Sequence, residues 1–196
     1  MEFDGQTILG GIALIMGIYA SVIYFIAVVR KKSRPHLFTW LVWSILAWIG
    51  FIAQLSDNAG AGSWALGITA IFCSVTTILS LKLGTKDHTK SDWIWLTLSL
   101  SAIIPWLLTK DPFLSVLMIC FIDGIAIIPT MRKSWNDPWG ENLQSYAVHA
   151  IKFLLATFAL ANLTFITAAY PLAIVLVNSS LIALCLYRRR FIAKPI

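Results

Sequence analysis

Charge is scarce in this chain: Asp, Glu, Lys and Arg make up 12% of its 196 residues, against a hydrophobic share of 59%. A soluble domain of this size has too little interior to hide so much apolar surface. Acidic side chains are the rarer sign, nine against fifteen Lys and Arg, and no apolar run holds a pair of carboxylates. Cysteine is nearly absent. Cys73, Cys120 and Cys185 are scattered through apolar runs without a CxxC spacing, so they read as small buried hydrophobes rather than a disulfide framework or metal site. Neither GxSxG nor HExxH occurs, and no Cys–His dyad is evident. The expectation is a protein that is not an enzyme, with no cofactor and no metal. The start Met1-Glu2-Phe3-Asp4 lacks the basic region of a secretory signal, so the first apolar run is read as retained.

What the chain has in abundance is long apolar runs, and its mean hydropathy is +0.81. With lipid as solvent, backbone hydrogen bonds must close inside helices or a sealed barrel. Barrel strands alternate polar and apolar residues over about ten positions. Here the runs stay apolar for about 18–23 residues, the length a bilayer core demands of a helix. Seven spans result: 7–29, 37–55, 63–83, 93–109, 112–131, 143–163 and 167–187. Asp111-Pro112 offers a cap and a first-turn proline for the fifth. The sixth and seventh are separated only by Asn162, Thr164, Thr167 and Pro171. Residues 143–187 as one helix would measure roughly 65 Å, too long for one crossing, so a turn lies between them.

The basic residues sort by side. Thirteen of the fifteen fall in the loops after spans one, three and five, at the end of span three (Lys82) or in the tail, whereas Lys110 lies opposite and Lys152 deep within a span. By the positive-inside rule this puts the N-terminus outside and the C-terminus in the cytoplasm, as an odd number of spans requires. The net charge of +6 is thereby explained by topology, and nucleic acid is not an expected partner. The expected location is the inner (plasma) membrane, crossed many times.

The seven spans divide three, one and three: residues 1–91, a connector at 92–111 that opens Asp92-Trp93-Ile94-Trp95, and residues 112–196. Span one runs into Arg30-Lys31-Lys32-Ser33-Arg34-Pro35, and span five into Arg132-Lys133-Ser134-Trp135-Asn136-Asp137-Pro138. Both are basic, Ser-containing loops that end in proline. With the segment Asp123-(x5)-Pro129-Thr130-(x2)-Lys133-(x4)-Pro138, the chain resembles the SWEET and PQ-loop superfamily of seven-helix membrane transporters, although no Pro-Gln dipeptide occurs. The resemblance implies an all-α membrane fold of two three-helix bundles joined by a connector, a transport activity and a hinge at Pro129. A non-transporting receptor, as the KDEL receptor is in that superfamily, is the alternative; an intramembrane enzyme ranks below it.

Ionisable residues inside a span are costly and are the default functional candidates. Asp123 stands nine residues before Arg132, about 13–14 Å above the cytoplasmic boundary. Lys152 stands ten residues after Asn142 and Asn178 ten before Arg188, each about 15 Å in. The three share a level, which predicts an Asp123–Lys152 pair at a midplane substrate site. His149 and Tyr146 continue the Lys152 face, and the second span contributes Trp43 and Trp48. A charged half facing an aromatic half suits a small polar or zwitterionic solute. The other expected partner is the lipid bilayer, with a homo-oligomer left open.

Overall fold

The computed structural model describes residues 5–56, 59–101 and 112–194, and every regular element among them is helical. Helix α1 is Gly5–Val29, α2 Leu37–Ser56, α3 Trp64–Leu83 and α4 Lys90–Ser101; a single 3-10 turn, Gly60–Ser63, leads into α3. Then follow α5 Pro112–Ala126, α6 Ile128–Asn136, α7 Leu143–Phe158 and α8 Phe165–Arg188. Three stretches are long and apolar enough to cross a membrane: Gly5–Val29, Gly60–Leu83 and Thr167–Arg188. Their exteriors carry large apolar side chains such as Ile15, Ile78 and Leu176, each about 70% exposed, the surface expected against hydrocarbon.

Local chemistry sets the boundaries. Thr164 caps α8 through a reciprocal box with Thr167, so the expected turn between the sixth and seventh spans falls at 159–164. Asn142 caps α7 by accepting from the Ser145 N–H. Thr89 and Asp92 bond each other's backbone N–H groups at the start of α4. The second half of the expected fourth span, and the Asp111 cap, lie outside the described residues.

The fifth span differs from expectation. Instead of one helix over 112–131, the chain forms α5, breaks at Ile127 and continues as α6 to Asn136. Pro129 is the cause, because it has no N–H to offer the carbonyl four residues back and its ring crowds that carbonyl.

Helix α3 packs against both α1 and α2, and α8 packs against both α5 and α7. Between these sets α1 meets α7 and α2 meets α5, while α4 rests on α2, α5 and α6. The inner face of α1 is a stripe of small residues, Gly10, Ala13, Gly17 and Ala20, that lets its neighbours approach closely. A Cβ at position 10 would stand 2.6 Å from that of Ala61, and one at position 17 would stand 2.8 Å from Ile68 Cγ2.

The loops that charge assigns to the cytoplasm meet at one end. Lys133 reaches the Arg34 carbonyl, Arg132 reaches Asp87 and Asp92, and Arg189 donates to the Pro138 and Glu141 carbonyls. At the opposite end Gln6 donates to the Leu160 carbonyl, and Gly62 lies against Leu160.

Candidate functional site

Helical periodicity turns one face of six helices toward a common cavity of about 40 Å³. On α2 that face is Trp40, Trp43 and Ala47, spaced three and four apart. On α8 it is Tyr170, Ile174, Val177 and Asn178, and on α7 Tyr146, His149 and Phe153. Helix α1 adds Tyr24, α3 adds Phe72 and Cys73, and α5 adds Asp123.

Aromatic rings dominate the wall. Trp40 sits 4.9 Å from Tyr24, 5.2 Å from Trp43 and 5.3 Å from Phe72, the last two edge-on. Phe72 in turn stacks on His149 at 5.2 Å. Edge-to-face rings hold one another in place and leave other faces available to a ligand.

Four polar atoms in this wall are buried without a hydrogen-bond partner among the described residues: Asp123 Oδ2, His149 Nε2 and the indole nitrogens of Trp40 and Trp43. Native interiors satisfy the great majority of such groups, so four at one cavity mark a place built to meet something else. Asp123 is the only acid among the described residues that line it. Asn178 also lines the cavity, but its amide donates to the Ile174 carbonyl of its own helix.

Of the residues singled out in the sequence, Asp123, Asn178, His149, Trp43 and Tyr146 meet at the cavity. Trp48 does not. It lies 100° around α2 from Ala47, is 40% exposed, and donates its indole N–H to Ser74. Lys152 is fully buried but stands behind the wall, donating to Thr69 Oγ1 at 2.6 Å and to the Ala65 carbonyl at 3.4 Å, with its ammonium over the Phe153 ring. It forms no ion pair with Asp123, so the predicted pair is corrected: equal depth put the two on one level but said nothing of the direction each side chain takes.

The sequence reading missed the ion pair that anchors two of the lining tyrosines. Tyr24 and Tyr146 donate to Glu141 Oε2 at 3.1 and 3.3 Å, and the other oxygen of Glu141 pairs with Lys133. Lys133 also donates to the Arg34 carbonyl at 2.6 Å. Glu141 stands in the loop before α7 and Lys133 on the short α6. The available signal was a loop acid one residue before the Asn142 cap, which brings it beneath α7.

Beside it, Arg132 grips Asp92 through two nitrogens at 2.9 and 2.8 Å and also reaches Asp87. Burial raises the Asp92 carboxyl, but the Arg132 bonds and the Thr89 N–H and hydroxyl outweigh it and hold the group below the usual range. His36 Nε2 lies 3.4 Å from Asp92 without the alignment of a hydrogen bond. Burial lowers its imidazole to about 4, against an upward pull from Asp92, and it is held neutral.

No protein-family model, curated protein or solved structure matches this chain. Among the described residues no group of three His, Cys, Asp or Glu is placed to hold a metal ion.

Proposed function

We propose that this protein is a transporter, embedded in the plasma membrane by seven spans with its N-terminus outside, and that it carries a small polar solute through the cavity. In this reading α1–α3 form one bundle, α5–α8 the other, and α4 the connector. The support is the matched packing: α3 between α1 and α2, α8 between α5 and α7, and the crossed contacts α1–α7 and α2–α5. The SWEET-like resemblance of the sequence agrees with this arrangement.

The observation that carries the reading is the cavity itself. It lies where the two bundles meet, and its walls hold unpartnered polar atoms from both: indole nitrogens on one side, Asp123 and His149 on the other. Rocking of one bundle against the other would expose such a site to each side in turn. Pro129, where the fifth span breaks, is the natural hinge.

The test is flux. Purified protein in proteoliposomes should release a subset of trapped sugars, amino acids and vitamins faster than empty vesicles do, and the same solutes should raise its melting temperature. A protein that melts cooperatively yet neither binds nor passes any of them would remove the transport reading.

A further inference from the structure

Resting on the transport reading, we infer that the solute carries a compact organic cation, an alkylated ammonium or a comparable delocalised cation, seated at Asp123 inside an aromatic box. The wall offers the two things such a head requires. One is a negative charge without another partner: Asp123 is 3% exposed and makes no hydrogen bond or ion pair among the described residues. The other is aromatic surface, with Trp40, Trp43, Phe72 and Tyr170 facing the same space. Ring faces attract cations electrostatically, and far more strongly when water is excluded.

A bare metal ion fits this site poorly, because hard cations take six or more oxygen ligands and indole rings supply none. An alkylated nitrogen donates few or no hydrogen bonds, so it suits a wall that is mostly carbon. The indole N–H groups of Trp40 and Trp43 are donors only, which assigns them to acceptor atoms elsewhere on the same solute. Lys152 does not line the cavity; its ammonium is held by Thr69 Oγ1 and the Ala65 carbonyl. The wall therefore presents the carboxylate to the ligand and withholds the ammonium.

Choline and its neutral carbon isostere, in which carbon replaces the quaternary nitrogen, separate charge from shape. Labelled choline should bind the full-length protein in detergent saturably, and the isostere should compete about tenfold or more weakly, since only charge distinguishes them. Asp123→Asn should abolish that preference. Trp43→Phe, which keeps a ring, should weaken choline less than Trp43→Leu. Equal competition by choline and its isostere, or choline binding that Asp123→Asn leaves intact, would overturn the cation assignment. If sugars or neutral amino acids bind and cross the membrane while choline does not, the assignment falls and the transport reading stands. If no solute binds at all, both fall.

Discussion

Lys133 and Glu141 form an ion pair in near-complete seclusion from water, their side chains 5% and 0% exposed. The pair joins four parts of the chain: Lys133 holds the Arg34 and Gly140 carbonyls, while Glu141 receives the Tyr24 and Tyr146 hydroxyls. Removing one partner strands a buried charge, which typically costs about 3–5 kcal/mol. Lys133→Met and Glu141→Gln should each lower the melting temperature markedly in a thermal-shift assay. The double variant should regain part of the loss. Equal melting of all four proteins would show that the pair does not persist in solution.

Acid should destabilise this same end. The folded-state value of His36 is lowered from 6.5 to about 4, so its contribution is intact above pH 6.5 and drains away as pH falls toward 4. Near pH 5 the loss amounts to roughly 2 kcal/mol. Asp92 acts in the same direction, because its lowered carboxyl stabilises the fold at neutral pH and gives that up as pH falls through its folded-state value. Melting curves from pH 7.5 to 4.5 should therefore slope downward, and His36→Asn should flatten the slope. A His36→Asn protein with the wild-type slope would clear His36 of that role.

Topology is open to a direct test. A reporter fused after Ile196 should be active only in the cytoplasm, and one inserted near Asn58 only outside, because thirteen of the fifteen basic residues sort to one side. The reverse pattern would invalidate the span count.

Much of the fold could be read in the sequence because lipid imposes a simple demand on it. Long apolar runs and turn residues put α1, α2, α3 and α8 within a few residues of their observed ends, and Lys and Arg marked the loops that meet. The site was legible only to the level of depth. Asp123, His149 and Asn178 were found because polar groups in a span are conspicuous, whereas Trp48 and Lys152 were misplaced because depth does not fix azimuth or rotamer. Trp40, Tyr24, Phe72 and Tyr170 do not stand out in the sequence because an aromatic residue in an apolar run carries no mark of whether it faces lipid or cavity. Glu141 was missed for the opposite reason: its burial is created entirely by tertiary contacts.

Pro129 should matter for motion more than for folding. Pro129→Ala restores an N–H and removes a clash, so α5 and α6 can join across Ile127 into one straighter helix. Stability should change by no more than about 1 kcal/mol, the regained helix bond being set against the greater freedom of the unfolded chain, while flux in proteoliposomes should fall. A variant that transports at the wild-type rate would remove Pro129 as the hinge.

Asp123 and Lys152 provide the sharpest separation of function from structure. They lie at one depth yet do not pair. Residues without a shared partner give mutational effects that add within about 0.3–0.5 kcal/mol. Lys152→Met should destabilise, since it leaves Thr69 Oγ1 without its buried donor, although the Ala65 carbonyl keeps the Thr69 hydroxyl. Asp123→Asn should leave stability unchanged or raise it, since it removes a buried carboxylate that makes no compensating bond. The double variant should then melt where the sum of the single shifts places it, and Asp123→Asn alone should weaken choline binding about tenfold or more. A double variant clearly more stable than that sum would mean the two charges meet in solution. A folded Asp123→Asn protein with undiminished binding would move the site's charge recognition from Asp123 to another group.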